Sequence, residues 1–488
     1  MKHLNKTKKV VESEVEVKST NKFLDSMFTE TSKGLTENLA VTFIRSGSQL
    51  LDFFAQGGAM RGNPDKALDL FQKAFAEDKQ SAIRILFYLR DVRGGQGERN
   101  LFRICLEWLG TNYPEVFDNV VEHVSEYGRW DDMFFDNDKC FSIIKKQLAL
   151  DKNADTPSLL AKWLPTINAS SKTTKQKANF MAQKLEMDSI AYRKLVRGIR
   201  KKIKAVEELM SAQDWKKINY SSVPSQAARI YKNAFKKHDE ERYNDFIEKA
   251  EKGEVKIQAG TLYPYQIYKS VKSDYSKTLE ALWNQLPDYT QDKNALVVAD
   301  VSGSMEGDPI SVSVSLALYF AERNKGQFKD YFITFSGNPR LQKIVGDDLL
   351  GKMNSIEESD WDMNTDIQAV FNLILETALK NNTLEKELPE TIYIISDMEF
   401  DDCSDTKTNF EVMKEKYEEA GYKLPNIVFW NVDARNGNNL PVQKNEQGVA
   451  LVSGFSPVIF KIAVENKTPL DIMNDVINSE RYSQIVIK

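Results

Sequence analysis

The sequence predicts a multidomain protein in which an all-α, helical-repeat domain is followed by a doubly wound, Rossmann-like α/β domain. Three observations support this fold class. From about residue 38 to residue 287, apolar residues recur at three- and four-residue spacing, interrupted by short Gly, Pro and Asn breaks. From Ala295 onwards, short apolar runs typical of buried parallel strands alternate with amphipathic stretches. The length of 488 residues also exceeds that of one typical core.

Three segments follow from these patterns. Residues 1–37 are polar, charged and poor in aromatic residues, and a flexible leader without a core is expected there. Residues 38–290 are expected to stack as helical pairs of HEAT-like type, in the manner of an α-solenoid. A polar linker at Asp288–Lys293 leads to the α/β domain, which should span residues 291–488.

Helix boundaries in the first domain are predicted from caps and apolar spacing. Asn63-Pro64 combines an N-cap residue with a proline suited to the first helical turn. Further helices are expected at Lys79–Tyr88, Asn100–Leu109, Tyr192–Lys204, Val223–Phe235 and Tyr265–Leu286.

The second domain is predicted from the alternation of strand and helix patterns, which indicates a parallel sheet with helices on both faces. Strands are expected near Ala295–Val301, Tyr331–Phe335, Thr391–Ser396, Asn426–Asn431 and Val449–Ser453. Helices are expected near Pro309–Asn324, Asp366–Lys380, Lys407–Ala420, Pro457–Ile462 and Pro469–Ile477.

Composition excludes several classes of protein. Hydrophobic residues make up 41% and charged residues 28% of the chain, as in ordinary globular proteins. No apolar run approaches the roughly 20 residues that span a bilayer, and the N-terminus has no apolar signal core. Cys105, Cys140 and Cys403 fit neither a zinc site nor a disulfide framework, which favours a reducing compartment. A cytoplasmic protein without a membrane partner is expected.

The net charge of −5 conceals an uneven distribution. Residues 295–488 contain 18 basic and 31 acidic residues, a net charge of −13, which leaves 48 basic and 40 acidic residues, a net of +8, in residues 1–294. Within Lys162–Lys256 there are 22 basic and 12 acidic residues, a net of +10. This asymmetry favours a polyanion partner for the helical domain alone.

A carboxylate and two hydroxyls follow the first predicted strand of the α/β domain. Asp300, Ser302 and Ser304 stand in an Asp-Val-Ser-Gly-Ser motif directly after the apolar run Ala295–Ala299. Ligands of open α/β sheets bind outside the carboxyl ends of strands, and such oxygens suit Mg²⁺ or another hard cation such as Mn²⁺ or Ca²⁺. The alternative is that Asp300 and Ser302 only cap the next helix.

The motif resembles the metal-ion-dependent adhesion site (MIDAS) of von Willebrand factor A domains, in which a threonine and a strand-end aspartate follow later in the chain. That resemblance implies the metal ligands Asp300, Ser302, Ser304, Thr365 and Asp397. Thr365 follows Met363-Asn364, where relatives often have glycines, and the adjacent Asp366 is the alternative ligand.

The basic segment and the glycine-rich connector Arg90–Arg99 contain candidate RNA contacts. Cations spaced three or four residues apart on one predicted helix, with aromatic residues interleaved, suit phosphates and unstacked bases. The alternative is a solvated helix face with core aromatic residues. The interleaved aromatic residues are Trp163, Tyr192, Trp215 and Tyr220. The candidate RNA-binding residues are Arg93, Arg99, Lys162, Arg193, Lys194, Arg197, Arg200, Lys201, Lys204, Lys236 and Lys237.

The connector itself has two interpretations. Its glycines let the backbone approach a phosphate, with Arg90, Arg93 and Arg99 as counterions. Alternatively, Arg90 and Asp91 form an ion pair that fixes the turn. The connector lacks the Lys-Ser/Thr end of a nucleotide-binding P-loop, which argues against an ATPase.

Five longer stretches carry a further resemblance: Ile85–Arg99, Tyr127–Asp132, Ala161–Pro165, Asn219–Pro224 and Ile395–Asp401. They resemble a TROVE-related branch of bacteria, phages and plants, and residues 38–488 as a whole resemble the Ro autoantigen family, in which a helical TROVE ring precedes a von Willebrand factor A domain. The resemblance implies binding of small noncoding RNAs and the ends of misfolded RNAs through the basic helical domain.

The leading hypothesis is therefore a Ro-like RNA-binding scaffold whose A domain holds a divalent cation. The alternative is a metal-dependent protein–protein adaptor without nucleic acid, in which a partner's acidic residue completes the coordination of the ion. No enzymatic activity is expected, because the site is rich in neutral hydroxyls and has neither a second metal nor a convincing general base.

Overall fold

A computed structural model describes residues 33–203, 205–291, 294–359, 364–435 and 439–487. The first part of the chain is mainly helical and the second part contains a six-stranded sheet, which confirms the predicted combination of a helical and an α/β region. Among the described residues, no helix has the length and apolar character needed to cross a membrane.

The helical part begins where capping residues predict it. Asn63 accepts a hydrogen bond from the Lys66 amide (3.3 Å) and Pro64 occupies the first turn of its helix. The helices are α1 (Gln49–Gln56), α2 (Pro64–Glu77), α3 (Lys79–Arg90), α4 (Asn100–Asn112), α5 (Pro114–Val120), α6 (Val124–Tyr127), α7 (Asp138–Asn153), α8 (Leu160–Trp163), α9 (Lys172–Lys184), α10 (Ser189–Ile203), α11 (Val206–Ser211), α12 (Ser225–His238), α13 (Glu240–Glu251), α14 (Pro264–Ser273) and α15 (Lys277–Asn284).

Two predictions for this part are wrong in detail. The single helix expected at Tyr265–Leu286 is two helices, because the chain turns extended at Asp274 between α14 and α15. The domain expected to be all helical from residue 38 starts with a hairpin of β1 (Lys33–Leu35) and β2 (Val41–Phe43). The hairpin also takes up the end of the predicted leader 1–37; the rest of that leader lies outside the described residues. Strands of three residues are too short to show a period of two.

The α/β part forms one mixed sheet of β3 (Ala295–Ala299), β4 (Tyr331–Thr334), β5 (Leu341–Lys343), β6 (Thr391–Ser396), β7 (Asn426–Asn431) and β8 (Val449–Ser453). Its order is β5-β4-β3-β6-β7-β8, and all neighbours are parallel except β4 and β5. The five predicted strands are confirmed. The short, largely exposed edge strand β5 was not predicted, so the sheet is mixed rather than wholly parallel.

Helices lie in the connections from β3 to β4, from β5 to β6 and from β6 to β7. Counted from β3, the sheet order is that of doubly wound Rossmann-type folds, with the chain reversing direction across the sheet between β3 and β6. The helices of this part are α16 (Asp308–Arg323), α17 (Leu349–Glu357), α18 (Ile367–Asn381), α19 (Asn409–Glu419) and α20 (Pro469–Ile477), of which α20 follows the last strand, and Pro457–Lys461 is a 3₁₀ turn.

One hydrophobic core continues across the predicted boundary near residue 290. Helix α1 packs on β8, where Ser453 Oγ donates to the Phe54 carbonyl (3.0 Å) and accepts from the Gly58 amide (2.9 Å). At the other end of the chain, the Arg481 guanidinium pairs with Asp91 at the end of α3. The two parts are therefore packed together at both ends of the sequence.

Candidate functional site

Asp300 and Asp397 lie on either side of the point where the strand order reverses. Asp300 follows β3 and its amide donates to the Ile395 carbonyl (3.0 Å), which continues the pairing of β3 with β6 by one residue. Asp397 follows β6. Because the two strands are parallel neighbours, both carboxylates stand at the same edge of the sheet, where open α/β folds bind ligands.

Asp300 is fully buried and held by hydroxyl and amide donors. Its Oδ1 accepts from the Ser302 amide (2.9 Å) and its Oδ2 from Ser396 Oγ (2.6 Å). Ser302 Oγ and Ser304 Oγ are 2.9 Å apart. Burial, and then the nearby charge of Asp397, raise the pKa of Asp300 to about 7. The alternative of a helix cap is not supported: Gly307 is the N-cap of α16, and Ser302, which precedes the 3₁₀ turn Gly303–Met305, makes no side-chain capping bond there.

Asp397 has a cationic partner that the sequence did not reveal. Its Oδ2 accepts from Arg435 Nη2 (2.9 Å), and its Oδ1 accepts from the Glu399 amide (3.2 Å). The same Arg435 nitrogen lies 3.7 Å from the carboxylate of Glu37 in the β1–β2 turn. Arg435 therefore stands between the predicted metal ligand and an acidic residue from the other end of the chain.

Thr365 is tied to the loop after Asp397. Its amide donates to Asp401 Oδ2 (3.1 Å), its carbonyl accepts from the Asp401 amide (3.2 Å), and its Oγ1 accepts from Asn38 Nδ2 (3.1 Å). Asp366, the alternative ligand, caps α18 by accepting from the Ala369 amide (2.9 Å). The capping role of Asp366 leaves Thr365 as the better candidate of the two.

The donor set suits a hard cation. Two carboxylates and three hydroxyls are all oxygen ligands, and burying two like charges together is costly unless a counterion joins them. Within the described ranges, no group of three or more His, Cys, Asp or Glu side chains forms a conventional metal cluster. A cation at this edge would therefore depend on serine and threonine oxygens beside the two aspartates.

The basic surface lies on α9 and α10, neither of which contains an acidic residue. Tyr192, Val196 and Ile199 bury one face of α10, as its apolar spacing predicts. The four cations on the exposed face make no ion pair with any residue that the structure describes. These four, called the α10 basic face below, are Arg193, Lys194, Arg197 and Lys201.

The remaining RNA candidates differ in their burial and contacts. Arg200 is half-buried, and its guanidinium donates to the Ala161 and Leu164 carbonyls and to Thr166 Oγ1, so it is a structural residue. Lys162 lies 3.9 Å from Glu207, and Lys236 and Lys237 are exposed on α12. Lys204 lies outside the described residues.

The four aromatic candidates also differ in their burial and contacts. Tyr192 and Tyr220 are core residues whose hydroxyls donate to the Pro165 carbonyl (2.9 Å) and to Asp239 (2.8 Å). Neither ring is accessible to a base. Trp215 stacks on His238 with 4.4 Å between ring centroids, and the Arg129 guanidinium lies 4.0 Å from the Trp163 ring centre. The core interpretation is correct for the two tyrosines.

The glycine-rich connector is fixed by ion pairs other than the predicted one. Arg90 pairs with Asp132 (2.7 Å) rather than with Asp91, whose partner is Arg481. Arg93 donates to the Glu126 carbonyl (2.9 Å), and Arg99 is exposed. The sequence could not reveal these pairs, since Asp132 and Arg481 lie far along the chain.

Two families described as domains of unknown function match the sequence. DUF2828 matches residues 36–127 and 149–301, just over half of the chain, and DUF7788 matches residues 294–485. A protein of Acanthamoeba polyphaga mimivirus, called uncharacterized protein L728, is 29% identical over 497 residues, which cover 91% of this chain and 86% of the viral protein. The extent of the first match shows that the chain belongs to the DUF2828 family.

Proposed function

We propose that the protein is a Ro-like RNA-binding scaffold in the cytoplasm, whose α/β part is a von Willebrand factor A domain that binds a divalent cation. The observation that carries the RNA proposal is the α10 basic face. In a chain with an excess of acidic residues, four neighbouring cations have no anionic partner among the described residues. A structured or misfolded noncoding RNA offers the repeated phosphates that such a face would neutralise.

The test is RNA binding measured by fluorescence anisotropy as a function of salt. Replacing Arg193, Lys194, Arg197 and Lys201 by alanine should weaken binding at least about tenfold and reduce the slope of log K against log salt by about 3. A matched control replaces four exposed lysines of the α/β part by alanine: Lys343, Lys380, Lys386 and Lys423. Equal losses for the two variants, or binding that does not respond to salt, would refute the proposal.

The cation proposal is supported by the two buried aspartates at the reversal point of the sheet. Asp300, Ser302, Ser304, Thr365 and Asp397 would hold Mg²⁺, Mn²⁺ or Ca²⁺ through oxygen ligands. The ion would neutralise a carboxylate pair that has Arg435 as its cationic partner. We propose a binding role rather than catalysis, because a pair of carboxylates among hydroxyls offers no second metal and no separate base.

A metal-dependent protein adaptor is the second candidate function. The carboxylate of Glu37 lies 3.7 Å from Arg435, so an acidic group from outside the α/β part already approaches the site. A partner's carboxylate could replace it and complete the coordination of an ion. In this case EDTA and Asp300→Asn should both abolish binding of a purified partner, and loss of the α10 basic face should leave it unchanged. Binding that persists in EDTA would exclude this function.

A further inference from the structure

A cavity of about 340 Å³ lies between the connector after α3, the turn before Trp130 and the start of α14. Four arginines line it, and they are far apart in the sequence. We call it the arginine cavity and define it by Arg61, Arg90, Arg99, Arg129, Glu98 and Gln266. It is separate from the α10 basic face and from the sheet edge.

Acidic residues neutralise only part of the charge at this cavity. Arg90 and Arg103 share Asp132, each with an N–O distance of 2.7 Å. Arg103 and Arg129 share Asp131, at 2.7 and 2.9 Å. The third carboxylate, Glu98, is buried and pairs with Arg61.

Arg99 is the last of the four arginines that line the cavity, and it has no ion-pair partner in the described part of the chain. Five guanidinium groups, counting Arg103 behind the wall, therefore face three carboxylates, which leaves a net of two positive charges. Such an excess is costly at a partly buried site unless a further anion is present.

Arg129 has one buried hydrogen-bond donor without a partner among the described residues, its Nε. Burial lowers the pKa of this guanidinium, and the neighbouring charges of Arg99 and Arg90 lower it further. The Trp163 ring, 4.0 Å from the guanidinium, packs against Arg129 and limits its movement.

The connector brings backbone close to the same space. Gly97 has a φ of +68°, and a β-carbon there would collide with the Tyr263 hydroxyl, so only glycine fits without a shift. Asn100 and Leu101, in the first turn of the 13-residue helix α4, also line the cavity, and no side chain caps that turn. The positive end of the helix adds to the field of the arginines.

We propose that the arginine cavity binds a phosphoryl group, either the terminal phosphate of an RNA or that of a free mononucleotide. A phosphate monoester carries nearly two negative charges at neutral pH and has three acceptor oxygens, which match the charge excess and the forked geometry of guanidinium groups. A monocarboxylate would neutralise only half of the excess. This inference does not depend on the α10 basic face.

The experiment uses the full chain and one short RNA with a 5′-phosphate, a 3′-phosphate or hydroxyls at both ends. Binding is measured by anisotropy at fixed salt, and inorganic phosphate and AMP are tested separately for thermal stabilisation. If the source is RNA, one phosphorylated end should bind about tenfold more tightly than the hydroxyl form. If the source is a free nucleotide, AMP should raise the melting temperature at millimolar concentration while the RNA end has no effect.

Arg99→Ala is the informative variant, because Arg99 is exposed and makes no ion pair with a residue that the structure describes. It should remove the preference for phosphate, or the stabilisation by AMP. Arg93→Ala is the matched control: it removes an arginine from the same connector, but one outside the cavity. Replacing the four cations of the α10 basic face by alanine should weaken the binding of all three RNAs equally. The ratio of the affinities for the phosphorylated and the hydroxyl forms should therefore not change.

Two results would overturn the proposal. One is the absence of both an end preference and stabilisation by inorganic phosphate or AMP in the unaltered protein. The other is an equal effect of Arg99→Ala and Arg93→Ala, since that would reflect general charge. Failure of the α10 variant to change RNA binding would refute the proposed RNA surface and not the cavity.

Discussion

The sheet edge and the arginine cavity are opposite in charge, but both bring groups of like charge together. At the edge, Asp300 and Asp397 are buried together and Arg435 contacts one of them. At the cavity, arginines outnumber the carboxylates that pair with them. Each cluster is incompletely neutralised by the chain itself. If both proposals hold, one protein binds a cation and an anion at separate places.

The largest expected effect concerns Arg90, a structural arginine of the cavity. Arg90 is buried and paired with Asp132, so Arg90→Ala removes one of the two guanidinium partners of this buried carboxylate and should lower the free energy of unfolding by about 3 kcal/mol. Arg93→Ala, at an exposed position, should cost less than about 0.5 kcal/mol. Urea unfolding followed by circular dichroism measures both. Similar values would mean that Arg90 has no special structural role.

At the sheet edge, Asp300→Asn should weaken Mn²⁺ or Mg²⁺ binding about a hundredfold, because it removes one of the two charged ligands. Isothermal titration calorimetry measures the affinity. The control is Asp347→Asn, which removes an exposed carboxylate of the same part of the chain. Unchanged affinity in the Asp300 variant would exclude the proposed cation site.

A buried carboxylate outside both clusters provides a reference for the cost of an uncompensated charge. Burial raises the pKa of Asp52 from 3.8 to about 6. The native state therefore binds this proton more tightly than the unfolded state does. Its contribution to stability is fully present below about pH 4 and is lost as the pH rises through 6.

Asp52→Asn should remove that loss, since an amide oxygen can still accept from the Ser46 amide. The variant should be more stable than the unaltered protein by about 2–3 kcal/mol at pH 8, and the difference should vanish near pH 4. Unfolding free energies across this pH range provide the measurement. A difference independent of pH would show that the proton of Asp52 is not responsible.

The smallest expected effect concerns the cation that the chain itself supplies at the sheet edge. Arg435 competes with a metal ion for Asp397, so Arg435→Ala should raise divalent-cation affinity about tenfold. Arg340→Ala, an exposed arginine of the α/β part, serves as the control. A decrease in affinity on loss of Arg435 would mean that the guanidinium orients Asp397 instead of competing for it.

Sequence patterns were sufficient to place the two strands that end at Asp300 and Asp397, because buried strands of five or six residues are visible as apolar runs. The apolar runs before Asp300 and Asp397 are neighbouring strands, and their carboxyl ends necessarily meet at one edge. Short elements escaped prediction: β1, β2 and β5 have three residues each, too few to show a period. Helix α17 was also missed, although Asp348 caps it.

The arginine cavity was only partly predictable. The glycine-rich connector suggested a phosphate, and Arg90 and Arg99 do line the cavity. Arg61 and Arg129 could not be added from the sequence, because tertiary packing alone brings them to the connector. The same reason explains why Asn38 and Arg435 carry no signal in the sequence: each reaches its partner across a long interval of chain.

The pairing of Arg481 with Asp91 has a consequence for synthesis. The two residues are 390 positions apart, and Tyr127 also donates its hydroxyl to the Arg481 carbonyl. On the ribosome, helix α3 is made about 390 residues before this partner emerges. Part of the environment of Asp91 therefore forms only after the α/β part has been synthesised.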